Sequence, residues 1–312
     1  MMISANAVVY IQTNADNPLL SEVPKTVNKS LTEGAEDVEV LLGYAESVKA
    51  DWIVLDGYDY DENYEKKIMA RGFKLFRIDD LPTHTFHCDV LLSQNYGAEK
   101  MNFITSAHTK KALGLNYLLL NKKVRDLKVS EKNLTTKTPL NLLISLGGAA
   151  NLNAKAYHLI ADALSAFKAK TFNATFILAG HSEEEKKLLE KTLSMSHQNF
   201  TLHSYVQDLE KFMINSDFVI ASVGTMMWEL IYLKTPFTVI PLTASQNDYA
   251  KVLAEGGICF PFSMATELTK KDVEEKLQEL ISSVDMRKNL IETYERIVER
   301  DQISQNIIKL FS

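Results

Sequence analysis

The stretch from Phe218 to Leu242 constrains the fold more than any other part of the chain. FVIAS at 218–222 is an unbroken apolar run, the pattern of a strand covered on both faces in a parallel sheet. It ends at Val223 and Gly224, and a helical pattern starts at once with Thr225 as its predicted N-cap. Pro236 then opens a second apolar strand, FTVIPL, and the polar segment Thr243 to Tyr249 reads as a loop at that strand's carboxyl end. Strand, turn, helix and strand in so short a span make a βα unit with a right-handed crossover.

The unit recurs in both directions. Before it lie strand patterns at 140–146, 175–181 and 200–206, separated by helical patterns at 153–167, 183–194 and 208–214. Further upstream, AVVYIQ at 7–12, WIVLDGY at 52–58, FKLFRIDD at 73–80, DVLLSQ at 89–94 and YLLL at 117–120 read as strands, with helices at 37–49 and 62–71. Gly72 suits the residue just past the second of these helices. Residues 121–139 lose apolar periodicity and become charged and threonine-rich, which marks a connection. Beyond Phe262 the pattern is helical, with Thr269 as a cap and a last helical stretch over 285–311. The expectation is an α/β chain of two Rossmann-like βα domains: 1–121, a linker over 122–138, and 139–312 with a helical tail. In open sheets of this kind ligands bind at the carboxyl ends of the strands.

Several function classes are disfavoured. A net charge of −6 in 312 residues argues against a nucleic-acid face, which needs a basic excess. The two cysteines, Cys88 and Cys259, lack CxxC or histidine spacing, so zinc is not expected and reduced thiols are. No apolar run reaches the roughly 18 residues of a membrane span, and Met1 to Leu20 has no signal-like core, so a cytoplasmic location is expected. GxSxG, P-loop and GxGxxG motifs are lacking, as are HExxH spacings among the seven histidines. His84 and His87 shortly precede Cys88, but with Pro82 and Asp89 around them they read as a turn rather than as metal ligands.

The candidate residues sit at strand ends. Glu229 lies one turn into an otherwise apolar helix of Met226, Met227, Trp228, Leu230 and Ile231. Helix-dipole preference alone accounts for such a carboxylate, or its two oxygens receive neighbouring hydroxyls such as those of a ribose. Gly147 and Gly148 make either a tight βα turn, the commoner case, or a close approach to a ligand. Tyr58, at the end of WIVLDGY, either packs or orients a substrate hydroxyl.

Taken together, SLGG at 145–148, SYVQDL at 204–209, SVGTMMWEL at 222–230 and SQN at 245–247 resemble the nucleotide-binding half of GT-B glycosyltransferases, especially the peptidoglycan N-acetylglucosaminyltransferase group. DWIVLDGYDYDENYEKKI at 51–68, KLFRIDDLPTHTFHCDVLLSQN at 74–95 and LGLNYLLL at 113–120 are similar, more narrowly, to the UDP-2,4-diacetamido-2,4,6-trideoxy-β-L-altropyranose hydrolases of pseudaminic acid biosynthesis. The resemblance runs over about residues 7 to 265.

That resemblance implies a GT-B-like fold whose two domains face a cleft, and a UDP-sugar substrate. It implies that Glu229 binds the ribose hydroxyls, that Gly224 and Thr225 face the diphosphate, and that Val206 holds uracil. Gly147 and Gly148 become the glycine turn at the cleft; Gln246 and Asn247 contact the sugar; Tyr58 belongs to the active site. Ser245 stands where the hydrolases carry asparagine. The family's opening strand and GxGHxxR loop, with its histidine acid or base, have no counterpart, and the first strand corresponds to the family's second. A sheet without its first βα unit and a metal-independent hydrolase that is slow or inactive are therefore expected. A GT-B transferase and a non-catalytic UDP-sugar binder are the alternatives.

Overall fold

The computed structural model describes residues 10–13, 28–31, 37–129, 134 and 138–311. The chain divides into two compact units, one of residues 1–119 with 301–312 and the other of residues 120–300.

In the first unit, β1 (Tyr10–Thr13) pairs in parallel with β2 (Asn28–Leu31), a strand without a sequence signal. Residues 7–9 of the expected first strand lie outside the described residues. The helix α1 (Asp37–Ser47) buries Val38, Leu42 and Ala45. They pack in one cluster with Ile53 and Leu55 of β3 (Trp52–Asp56), Ile68 of α2 (Glu62–Ala70) and Leu75 of β4 (Lys74–Ile78). Asp61 caps α2, its carboxylate accepting from the Tyr64 N–H at 2.8 Å. The strand β5 (Val90–Ser93) is buried along its whole length, and β6 (Lys110–Leu113) completes a parallel sheet of order β3-β4-β5-β6.

The expected strand at 117–120 is corrected here. The strand is KKAL at 110–113, paired with β5 from Val90↔Lys110 to Ser93↔Leu113, and Gly114 at φ +89° ends it. YLLL is apolar because it fills the core as irregular backbone: Leu118 and Leu120 are buried, and Gln94 accepts the Leu119 N–H at 2.8 Å.

The second unit starts with the short helix α3 (Lys122–Arg125), capped by Asn121, inside the segment expected to be linker. Then follow β7 (Leu140–Ser145), α4 (Ala150–Ser165), β8 (Phe172–Ile177), α5 (Glu183–Ser194), β9 (Asn199–His203), α6 (Leu209–Asn215), β10 (Phe218–Ser222), α7 (Met226–Tyr232), β11 (Phe237–Ile240), α8 (Ala244–Glu255), α9 (Lys270–Ser282) and α10 (Val284–Ile297). The sheet has order β11-β10-β7-β8-β9, and every pair is parallel. Val219, Ile220 and Ala221 of β10 and Phe237, Val239 and Ile240 of β11 are all fully buried, as the unbroken apolar runs require. Ser182 and Thr269 head capping boxes on α5 and α9.

Two readings of this half change. The polar segment 243–249 is not a loop: Thr243 caps α8, its hydroxyl accepting from the Gln246 N–H at 3.3 Å, so Ser245, Gln246 and Asn247 form the first helical turn. The helical stretch expected over 285–311 breaks at Val298 into α10 and α11 (Ile303–Lys309). Residues 301–312 belong to the first unit rather than the second. The reason is aromatic: Phe311 stacks on Phe76 at 4.9 Å and meets Trp52 edge-on at 5.1 Å. Among the described residues no helix is long and apolar enough to cross a membrane.

Candidate active site

The second sheet grows from β7 through β8 to β9, then the chain returns to the other side of β7 to lay down β10 and β11. Strand order therefore reverses between β7 and β10, and the turns leaving those two strands diverge above the sheet's carboxyl edge. That crevice is where α/β sheets bind ligands.

One wall is the turn after β7. Gly147 adopts φ +76°, a conformation that disfavours any side chain, and a Cβ there would lie 3.6 Å from the Ser222 hydroxyl at the end of β10. At Gly148 a Cβ would meet nothing within 4 Å, so the backbone faces open space. The turn after β8 leans in from the far side, where a Cβ on Gly180 would come within 2.6 Å of the Gly148 carbonyl. Two buried α4 side chains set the shape. Asn153 donates from Nδ2 to the carbonyls of Leu146 (3.1 Å) and Gly147 (3.0 Å). The Tyr157 hydroxyl accepts from the Leu146 N–H at 2.8 Å and donates to the Ile177 carbonyl at 2.6 Å. Burial pushes the Tyr157 phenol pKa up, so it stays protonated.

The other wall is the turn after β10. Gly224 is exposed, with open space where a Cβ would stand, and Thr225 precedes α7 with its hydroxyl not spent on capping the helix. Glu229 is half-buried, and no described residue donates a hydrogen bond to its carboxylate. Burial raises its pKa to about 7, and the buried Glu210 of α6 adds repulsion. Helical spacing predicts Met226, Met227 and Trp228 as core; Met227 and Trp228 are buried, Met226 is half-buried, and Trp228 meets Tyr249 of α8 edge-on at 6.2 Å.

The remaining candidates of this unit lie along the same edge. Beyond β11, Gln246 turns its side-chain carbonyl back onto the Leu242 N–H (2.7 Å), and the Ser245 hydroxyl meets that of Thr243 at 3.1 Å. Asn247 sits in the same helical turn. At the opposite end Val206 follows β9, half-buried, in a segment held by Lys123, which donates to the Gln207 carbonyl at 3.1 Å and pairs with Asp208 at 2.6 Å. Lys123, with Lys211, draws the Asp208 pKa down to about 2. The sheet thus sets Gln246 and Asn247, Gly224 and Thr225, Gly147 and Gly148, and Val206 at the carboxyl ends of β11, β10, β7 and β9.

Tyr58 belongs to the first unit, at the carboxyl end of β3. It is 68% exposed, and its hydroxyl donates to Asp80 at 3.0 Å. Partial burial and then the Asp80 charge push its pKa up to about 12, so the phenol remains a donor. Beneath it Arg77 is fully buried, paired with Glu65 at 3.1 Å and with Asp79, and donating to the Gly57 carbonyl at 2.7 Å. Asp56 and Asp80 both have raised pKa values, chiefly from burial; for Asp56 the neighbouring Asp80 charge adds to it. His84 and His87, set aside as metal ligands, face Glu65 (3.3 Å) and Glu62 (2.9 Å). Nothing in the sequence marks Asp80, Arg77, Asn153 or Tyr157 as site-shaping residues beyond the place of the first two in the KLFRIDD segment of the family resemblance and the helical spacing of the last two.

Comparison with known proteins fits this architecture. The chain is 24% identical over 268 residues to an uncharacterized protein of Methanocaldococcus jannaschii, covering 81% of this chain and 53% of that protein, so it spans about half that relative's length. It is 25% identical over 246 residues to a UDP-2,4-diacetamido-2,4,6-trideoxy-beta-L-altropyranose hydrolase of Campylobacter jejuni, covering 78% of this chain and 84% of that one. Among solved structures, MurG of Acinetobacter baumannii superposes with a TM-score of 0.65 at 11% identity, covering 96% of this chain and 89% of that one. The fold is accordingly GT-B-like. Residues 142–302, just over half of the chain and the whole carboxyl-edge site, match a family profile, and the chain therefore belongs to the family described as Glycosyltransferase family 28 C-terminal domain.

Proposed function

We propose that the protein hydrolyses a UDP-linked diacetamido-trideoxy sugar, releasing UDP and the free sugar. The observation that carries the reading is Glu229, a half-buried carboxylate without a donor among the described residues, beside the crevice where the strand order reverses. Two vicinal hydroxyls of a ribose would supply the missing donors. The exposed backbone at Gly148 and at Gly224 with Thr225 leaves room for the diphosphate. Val206 takes the uracil edge, and Gln246 and Asn247 the sugar, following the hydrolase resemblance.

In the reaction, water attacks the anomeric carbon and gives up a proton to solvent, the bond from that carbon to the β-phosphate oxygen breaks, and UDP leaves with the electron pair. Backbone N–H groups of the Gly224–Thr225 turn meet the developing charge, so that no metal is required. The hydrolase resemblance assigns Tyr58 to the active site, and with its one O–H given to Asp80 its phenol oxygen is left to accept from a hydroxyl. Support for hydrolysis over transfer comes from the Campylobacter relative, and support for transfer from the family match and the MurG-like fold.

The test is UDP release from the diacetamido UDP-sugar by the purified chain, without acceptor and with chelator, alongside calorimetric titration with UDP. Release under those conditions establishes hydrolysis. Release only after an acceptor is added would make it a transferase, and UDP binding without release a non-catalytic binder. No binding of UDP at all would remove the nucleotide reading.

A further inference from the structure

A parallel sheet normally carries helices on both faces, and its strands read as continuous apolar runs. The strands β8 and β9 break this rule. In β8, Phe172, Ala174 and Phe176 are buried on one face while Asn173 and Thr175 are half-buried on the other, and in β9 Asn199 and Thr201 are exposed. Register brings the polar residues into rows: Asn141, Asn173 and Asn199 lie side by side across β7, β8 and β9, and Thr175 stands beside Thr201. Asn199 donates to the Asn173 carbonyl oxygen at 2.8 Å, Asn173 donates to that of Asn141 at 3.0 Å, and Thr201 donates to Thr175 at 3.2 Å. The helix α6, only seven residues long, stands over part of this face. Between helix and strands lies a groove of about 480 Å³, lined chiefly by Asn141, Asn173, Thr175, Lys211, Phe212 and Asn215.

We propose that this groove binds a neutral saccharide at a site separate from the carboxyl-edge crevice. The separation follows from the strands: Asn141 stands six residues before Gly147, roughly 20 Å at the rise of a strand. The chemistry follows from what the lining groups have left over. Asn173 gives one N–H and accepts one bond within the ladder, so a second N–H and a second lone pair remain. Thr175 accepts from Thr201 and keeps its own O–H to donate. Donors and acceptors in alternation match hydroxyl groups, each of which is both.

Charge points the same way. The one cation of the lining, Lys211, turns to Asp208 at 2.8 Å, a carboxylate it shares with Lys123, and no second cation stands in the lining to help hold a phosphate or a carboxylate. Phe212 is half-buried in the wall, its ring set against His203 at 5.5 Å, and offers the flat apolar contact that the C–H face of a pyranose takes. The volume falls within the roughly 300–1,000 Å³ range of small-molecule sites.

The test is an NMR titration of the ¹⁵N-labelled 312-residue chain with N,N′-diacetylchitobiose and with maltose, repeated with UDP present at saturation. The side-chain amides of Asn141, Asn173 and Asn199 are expected to shift and to saturate at about millimolar sugar, unchanged by UDP. Phe212→Ala and Asn173→Ala are each expected to weaken binding about tenfold, the worth of one good contact. If Asn173→Ala does not fold, Thr175→Val, which keeps the strand's shape, takes its place. No shift with either sugar overturns the proposal. So do shifts that grow with protein concentration alone, which would make the face a contact between copies, and shifts produced by UDP but by neither sugar.

Discussion

Replacing Glu229 with glutamine should make the ligand-free protein more stable and the UDP-bound protein less so. In the unfolded chain this carboxyl titrates near 4.5, and in the fold at about 7, raised first by burial and then by Glu210. Between those pH values the folded state keeps a proton that the unfolded state has released. The stability it contributes is complete below pH 4.5 and is lost as the pH climbs through 7. At about 1.36 kcal/mol per pKa unit the loss is at most about 3 kcal/mol, and partial exposure of the group reduces it to about 1–3 kcal/mol. Glutamine has no proton to lose. Thermal unfolding should therefore give Glu229→Gln and wild type the same Tm near pH 4.5, while at pH 8.5 the variant should unfold about 3–9 °C higher. Glu210→Gln should keep most of the wild-type pH slope, because burial is the larger cause. With UDP the order reverses: losing the ionised acceptor for two hydroxyls should weaken binding about 10- to 100-fold at pH 8.5. A variant no more stable than wild type at pH 8.5, or equally shifted at both pH values, would refute the burial of this carboxylate. A stabilised variant that binds UDP unchanged would leave the burial intact and remove Glu229 from the nucleotide site.

The glycines of the β7 turn separate folding from binding. Gly147→Ala, forced to φ +76°, should cost about 1–2 kcal/mol in chemical denaturation. Gly148→Ala meets open space and should leave stability unchanged, yet reduce UDP affinity in calorimetry if the diphosphate lies against that backbone. Arg77→Met leaves Glu65 and Asp79 buried without their cation and should destabilise the first unit by about 3–5 kcal/mol, seen as an early transition in thermal unfolding. Asp80→Asn exchanges a charged acceptor of the Tyr58 hydroxyl for a neutral one. UDP release should fall about tenfold in kcat, Tyr58→Phe should lower it similarly, and the double variant should lose little more, since the two act as one unit. Additive losses in the double variant would show that they act separately.

How much of this was legible in the sequence depends on what each signal measures. Apolar runs report burial, and where burial coincides with extended backbone, as in FVIAS and FTVIPL, the strand follows directly. At the edge of the first sheet the two part company. KKAL pairs with β5 while only Ala112 of its four residues is buried, and YLLL is buried without pairing at all. The helix start at Thr243 was written in the chain, since a threonine followed three residues later by glutamine is close to a capping box. Its string of polar residues merely reads as a loop when composition is weighed ahead of spacing.

The support of the β7 turn is a harder case. Asn153 and Tyr157 are four residues apart, so a helix puts them on one face whatever the fold. Nothing in that spacing says what the face meets. It is the reversal of strand order beside β7 that gives the turn its ligand-facing side, and the return of α4 across the sheet that turns Asn153 and Tyr157 toward the turn's other side. Both residues spend their hydrogen bonds on Leu146, Gly147 and Ile177, so they hold the backbone in place while leaving Gly148 open. Removing the Tyr157 hydroxyl strands the buried Leu146 N–H and Ile177 carbonyl, at about 1–3 kcal/mol for each group left unpaired. Site-shaping residues of this kind carry no motif because they bond to backbone, and backbone has no sequence.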